Sequence, residues 1–235
     1  MANAGLKVNE KPRSLSDVRR LDPRFEGAMT FGYYQKPTPS DSMGHYFYNG
    51  SKLEERSLLM AAPLVYHELI PGHHFQFNLT TENTALPLNR RDLEFTAYTE
   101  GWGEYASQLA GEMGMYEDPY ERYGRLGMEM FLACRLVVDT GMNYYRWPRS
   151  RAMRFMREHA LESETQIDTE TLRYSVDLPG QALAYKMGAI EIIRLRERLR
   201  DTFGVRFYLK AFHTAVMESG ALPLTVLRQK LESAN

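Results

Sequence analysis

Apolar positions recur along most of this chain at spacings of three and four, the pattern of helices that bury one face. The stretch from Asp92 to about Met113 shows it best, with Phe95, Tyr98, Trp102, Tyr105 and Leu109 on one side. Further helices are predicted at Pro119–Val138, Arg149–Leu161, Asp168–Ser175, Ile190–Leu199, Phe207–Ser219 and Leu224–Ser233, with Asp139-Thr140-Gly141 reading as a helix end. Ala28–Tyr34 and Gly44–Asn49 are instead short, aromatic-rich and partly alternating, and turn residues separate them. They read as two strands of a small hairpin or sheet. Its aromatic edge either caps the core or receives an extended peptide by strand addition. Met1 to about Phe25 is polar and irregular, an extended arm. The expectation is a mainly α fold with a small hairpin or sheet near the N-terminus: an arm over residues 1–27, then a single helical domain over 28–235.

Pro63–Gln76 departs from this pattern, because polar chemistry interrupts an apolar helix. Proline suits a first helical turn, and Leu64, Val65 and Tyr66 carry the helix into the core. His67 and Glu68 follow, then Pro71, Gly72, His73 and His74. A buried His-Glu pair is expensive unless its polar atoms are engaged. Zinc engages both, since imidazoles ligate it and a neighbouring glutamate can take a proton from a water it polarises. The spacing is not that of H-E-x-x-H, whose histidines lie four apart. His67 and His73 are six apart and would diverge on an unbroken helix. His67 and His74 would align but stand roughly 10 Å apart. Pro71 resolves this, because its ring would collide with the carbonyl of residue 67 and force a break. Read so, Pro71-Gly72 is an insertion that makes His73 the second ligand and leaves His74 packed beside it. The plainer alternative is that these histidines are core or capping residues.

A third ligand in such sites comes from a downstream helix. Glu100 fits, lying between Tyr98 and Trp102, where a carboxylate needs a cation. Glu94 and Glu104 are its rivals, and Glu104 could instead orient a histidine, but the G-W-G directly after Glu100 allows close helix approach and favours it. Two imidazoles and a carboxylate suit zinc, and also iron or manganese.

Composition narrows the rest. A chain of 235 residues with 43% hydrophobic and 25% charged content is an ordinary globular protein. A net charge of -1 gives no electrostatic case for nucleic acid or an anionic membrane. No apolar run is long enough to span a bilayer. The start lacks the apolar core of a signal peptide, which reads as cytoplasmic. The one cysteine, Cys134, cannot form an internal disulfide and reads as a small buried residue. The arginines at 146, 149, 151, 154 and 157 either clamp an anionic substrate end or form a solvated face.

Four blocks, H-E-L-I-P-G-H-H-F-Q, Y-T-E-G-W-G-E-Y, R-L-V-V-D-T-G and R-Y-S-V-D-L-P-G-Q-A-L-A-Y-K-M-G, resemble in order and spacing the bacterial domain of unknown function 885 family. That family is similar to the gluzincin metallopeptidases. The resemblance implies a helical metallopeptidase-like core with His67, His73 and Glu100 as metal ligands and Glu68 as general base. Two departures stand out. Family members usually carry a helical N-terminal portion over the cleft, which this chain lacks, so an exposed cleft, a partner chain or a homo-oligomer is expected. The family also usually has histidine where this chain has Asn143. Tyr185 and Arg173 are the candidates to stabilise an oxyanion, or else are buried hydrogen-bonded residues. Three functions follow: a zinc-dependent peptidase or amidase on a peptide or small amide, a metal-dependent enzyme of another class on a small pathway metabolite, or a non-catalytic metal-stabilised module.

Overall fold

The strands Ser16–Arg20 (β1), Gly32–Gln35 (β2) and Gly44–Tyr48 (β3) form one sheet in the order β1-β3-β2. β2 and β3 pair antiparallel, with Tyr33 opposite Phe47, as the aromatic alternation predicts. β1 adds to the far side of β3 in parallel, with Ser16 opposite Gly44. This computed structural model describes residues 14–233 apart from Ala28, Thr30 and Pro39. The expected arm therefore lies partly outside the described residues. From Ser16 on it is a strand and then a short helix, Pro23–Glu26 (α1). β1 is polar on both faces, so alternation does not reveal it; the backbone ladder of β3 recruits it.

The remaining helices are Ala61–Glu68 (α2), His73–Glu82 (α3), Leu88–Asp92 (α4), Thr96–Glu112 (α5), Pro119–Asn143 (α6), Arg149–His159 (α7), Glu164–Leu172 (α8), Leu183–Phe203 (α9), Leu209–Met217 (α10) and Leu224–Ser233 (α11). A π-helical turn, Arg173–Asp177, follows α8. The mainly α expectation holds. No helix among the described residues is long and apolar enough to cross a membrane.

Of the boundaries that differ from the sequence reading, three bear on the site, and the helix expected at Asp168–Ser175 starts earlier, at Glu164. The helix expected from Asp92 splits into α4 and α5, because Phe95 is extended and Asp92 and Glu94 both turn to Lys36 Nζ at 2.7 and 2.8 Å. Helix α6 runs past Asp139-Thr140-Gly141 to Asn143. The Asp139 carboxylate accepts from the Gly180 N–H at 2.9 Å and from Asn143 Nδ2 at 3.0 Å, so it has no need to compete for its own backbone. Gly141 is there for Trp147, whose ring would stand 2.5 Å from an added Cβ. Helix α9 starts at Leu183, and Gly188 lies inside it rather than before it.

Two apolar clusters hold the helices together. One joins α5, α9, α10 and α11 around Trp102, Tyr105, Ile192, Leu195 and Leu227. The other joins α6, α7 and α8 around Phe131, Leu132, Met156 and Ile167. Helices α5 and α9 cross where Gly101 faces Gly188, and a Cβ on Gly101 would lie 2.5 Å from the Gly188 backbone. Only glycine permits so close a crossing.

Candidate metal centre

The predicted break between the two histidines is present. Helix α2 ends at Glu68 and α3 begins at His73. Between them the Ile70–Pro71 peptide is cis, and Gly72 passes so close to α2 that a Cβ there would meet the His67 carbonyl oxygen at 1.8 Å. Gly72 is thus required by contact, its φ being an ordinary −80°. Trp102 of α5 donates its indole N–H to the Pro71 carbonyl at 3.0 Å, tying the excursion to the core.

The break brings two imidazoles to one carboxylate. His67 Nε2 and His73 Nε2 lie 3.2 and 3.3 Å from Glu100 Oε2. One donor atom from each of the three residues falls within 4.8 Å of the other two. A tetrahedral ion with bonds of about 2.0–2.2 Å holds neighbouring donors roughly 3.3–3.5 Å apart. Both observed separations are close to that edge, and both are longer than a typical charge-assisted hydrogen bond. The donor set therefore fits a zinc-sized cation.

Packing orients the rings. His67 lies flat on α5, where a Cβ on Gly103 would come within 2.7 Å of its Cε1 and Nε2. His73 meets it edge-on with ring centroids 4.6 Å apart, and Tyr185 stacks on it at 5.9 Å. Metal-bound histidines usually donate from their other nitrogen to a carboxylate or carbonyl. Neither His67 Nδ1 nor His73 Nδ1 has a hydrogen-bond partner among the described residues, so these contacts set the ring orientations instead.

The electrostatics separate the roles. Burial pushes the His67 imidazole down to about 4, against the pull of Glu100, so it is a neutral donor. Burial also lowers His73, but the Glu100 hydrogen bond and charge outweigh it and the net shift is upward. Burial alone would raise Glu100; the two imidazoles instead hold it far below the usual carboxylate range. Glu68 goes the other way. Burial raises it to about 7, with His73 opposing and Glu100 reinforcing, and its Oε2 is buried without a partner among the described residues. A buried carboxyl with an unpartnered oxygen beside this donor set has the position a proton carrier needs.

These residues line a cavity of about 240 Å³. Gly32, Tyr33 and Tyr34 of β2 form one wall, and Phe31, Leu64, Met128, Phe131 and Leu132 form an apolar end. Arg135, Arg173 and Tyr185 also face it.

Over residues 2–231 the sequence matches a bacterial protein family of unknown function, DUF885. The chain belongs to this family. Its fold also matches solved structures. A protein from Colwellia psychrerythraea, provisionally named a lipoprotein, superposes with a TM-score of 0.89 at 36% identity over 96% of this chain. A protein of unknown function from Shewanella oneidensis, also provisionally named a lipoprotein, does so with a TM-score of 0.66 at 24% identity over 89% of it. The chain spans 39% and 41% of the lengths of those two proteins. No curated protein matches.

Within this family member the structure sorts the sequence candidates. His67, His73, Glu100 and Glu68 come together. Glu94 is taken by Lys36, and Glu104 pairs with Arg125 Nη2 at 2.7 Å, so neither joins the donor cluster. His74 lies outside the donor cluster: Tyr34 donates its hydroxyl to His74 Nδ1 at 2.7 Å, joining α3 to the sheet. Asn143 bridges Asp139 and the Tyr174 carbonyl, the latter at 3.1 Å, and so braces the P-G-Q loop. Of the five arginines at 146–157, Arg149 pairs with Asp168, Arg157 pairs with Glu164, and Arg151 stacks on Trp147. That is the solvated-face reading.

Two residues escape the sequence reading. Gln181 Nε2 donates to Tyr185 Oη at 3.0 Å and reaches Glu100 Oε1 at 3.4 Å, while its own oxygen meets Arg173 Nη2 at 3.4 Å. Gln181 thereby connects three candidates, but a lone glutamine in a loop gives no periodic signal. Arg135 is buried, held by both oxygens of Glu170 at 2.9 and 2.8 Å and lying over the Phe131 and Tyr185 rings at 4.6 and 4.7 Å. Its signal was available: a single charge inside the apolar run F-L-A-C-R-L-V-V.

Proposed function

We propose that this chain carries the catalytic centre of a metal-dependent hydrolase, gluzincin-like in its ligand set, that cleaves an amide or peptide bond. The observation supporting this reading is the spacing of His67 Nε2, His73 Nε2 and Glu100 Oε2, with the buried Glu68 carboxyl beside them. His67, His73 and Glu100 would hold the ion, zinc by preference or another divalent transition metal. When bound, it would polarise a water and a substrate carbonyl.

The chain's own residues supply the remaining work. Glu68 takes the proton of the attacking water and returns it to the leaving nitrogen, its buried, unpartnered oxygen being free to carry it. Tyr185 has its phenol pushed up to about 12 by burial and therefore keeps its proton. It stacks on His67 and donates to the oxygen that gains charge in the transition state. Gln181 sets the Tyr185 hydroxyl and Glu100 relative to each other. The edge strand β2 lies along the cavity, so an extended acyl segment can add to it through backbone hydrogen bonds. A peptide or small amide is the substrate this arrangement suits. A second copy or a partner chain over the cleft remains part of the proposal.

The test is elemental analysis of the purified chain, followed by peptide hydrolysis with and without added zinc. Stoichiometric metal and chelator-sensitive cleavage support the reading. A metal-free protein that gains no hydrolysis on zinc addition refutes it. The name of the Colwellia psychrerythraea protein, a lipoprotein, favours an envelope setting over the cytoplasmic one, and fractionation of the host cell separates these.

A further inference from the structure

Helix α6 has two apolar faces, and the fold uses one of them. Met128, Phe131, Leu132 and Arg135 line the cavity. Roughly 170° around the helix, Tyr123, Leu126, Met130, Ala133, Val137 and Thr140 follow one another at alternating steps of three and four. That is the heptad spacing of a helix that packs along its length against another helix. Tyr144, four residues further on, ends the row at the C-cap, so the row runs for about 32 Å. Tyr123, Leu126, Met130, Val137 and Tyr144 are each 40–75% exposed, and Ala133 and Thr140 are half-buried between them. Single exposed apolar residues are ordinary on a protein surface, but a regular row of this length is not.

The row is wide enough to hold a second helix. Leu161, itself exposed, borders it, lying 3.8 Å from where a Cβ on Gly127 would stand, next to Leu126. Side chains of this size present roughly 150–250 Å² when bare, so the row and Leu161 together offer roughly 600 Å² of apolar area. Two copies face to face would bury roughly 1,200 Å², the lower edge of specific interfaces. The row holds no charge. Glu129 on its flank is already paired with Lys186 of α9 at 2.6 Å, so covering the row does not strand that carboxylate.

We propose that this row is the seam of a reversible homodimer in which two α6 helices pack antiparallel across a two-fold axis. The residues complement one another in that arrangement. An axis level with the Phe131–Leu132 peptide sets Met130 against Ala133 of the second copy, Leu126 against Val137 and Tyr123 against Thr140. Each layer then seats a larger side chain on a smaller one. A parallel pair would instead set Ala133 on Ala133 and Thr140 on Thr140, leaving gaps, with Tyr123 crowding Tyr123. A two-fold contact of this kind is closed, so assembly stops at two. Because the seam lies on the far side of α6 from the cavity, both cavities stay open. The dimer braces the helix that carries Phe131, Leu132 and Arg135, and it is distinct from any cover over the cleft and independent of the hydrolase reading.

Sedimentation equilibrium of the full 235-residue chain at roughly 1–100 µM tests this. The expected result is a monomer–dimer equilibrium. Leu126→Glu, at an exposed position, should keep the helical circular dichroism and weaken the dimer at least about tenfold. Cysteine cross-linking then reads the register, with glutathione disulfide as oxidant and the native Cys134 buried out of reach. A mixture of Met130→Cys and Ala133→Cys chains should form a mixed disulfide dimer faster than either variant links to itself. A monomer throughout the concentration range overturns the proposal, as does a dimer that Leu126→Glu leaves unchanged. Larger oligomers in place of a dimer overturn the closed two-fold contact. Ala133→Cys chains that link to themselves as fast as the mixture does overturn the antiparallel register.

Discussion

Replacing Gly103 with alanine puts the packing of the candidate metal centre to a direct test. The new Cβ would stand 2.7 Å from His67 Cε1 and Nε2 and 2.9 Å from Nδ1, where ordinary contact begins at 3.4 Å. The ring must therefore retreat by about 0.7 Å, the difference between 3.4 and 2.7 Å, or α5 must move away. The helix has nowhere to go. Gly101 lies about 200° around from Gly103 and is already pressed against Gly188. A credible metal site holds its distances to within about 0.2 Å, so a displacement of this size spoils one ligand. Overpacking costs about 1–3 kcal/mol, while alanine in a helix recovers about 1. The metal-free variant should thus lose only about 0–2 kcal/mol, a fall in Tm of a few degrees for a chain of this size. Zinc affinity should fall much further, at least about tenfold to a hundredfold. Titration of both proteins against a chromophoric chelator, with melting curves of the metal-free forms, reads the two effects separately. An alanine variant that binds zinc with the wild-type Kd would refute the argument that Gly103 seats His67.

Other expectations are simpler. Glu68→Gln should keep its zinc by elemental analysis and lose hydrolysis by at least about a hundredfold, because only the proton carrier is gone. His73→Ala should purify without stoichiometric metal while keeping its helical circular dichroism, since the ligand lies at the start of α3 and outside both apolar clusters. Gly111→Ala should raise stability by roughly 0.5–1 kcal/mol in a urea melt, because its Cβ would meet only Tyr116 at an ordinary 3.4 Å. His45 gives a pH signature. The Asp17 hydrogen bond raises its pKa above 6.5 despite burial, and Asp41 holds its other nitrogen at 2.9 Å, with Arg19 opposing. A raised folded pKa means stability that is complete below 6.5 and lost as pH climbs through the folded value. The Tm should therefore decline as pH rises above 6.5, and His45→Gln should flatten that slope.

The helical elements were legible because their apolar faces are periodic, and the Pro71-Gly72 break was legible because proline leaves the backbone few choices. Boundaries were legible only where local chemistry sets them. The N-terminus of α6 carries a full capping box between Asp118 and Glu121, and its start at Pro119 was read correctly. Its end was not, because Asp139 is satisfied by Gly180, which is 41 positions away in the chain. The same limit hid Gln181 and Arg135, whose importance comes from neighbours brought by other elements. β1 was missed because it forms for the sake of β3's unpaired backbone rather than its own side chains. Glu100 could be favoured over Glu94 and Glu104 because the G-W-G after it allows close helix approach, yet only the fold shows what occupies its rivals.

The glycine crossing of α5 and α9 has a mechanical consequence. Glu100 precedes Gly101 directly, and Tyr185 sits three residues before Gly188, so two of the groups that face the cavity are anchored next to a backbone-on-backbone weld. That half of the centre behaves as an anvil. Any breathing of the cavity must fall to the opposite jaw, formed by the β2–β3 hairpin. Amide exchange should accordingly be fast in that jaw and slow along the weld.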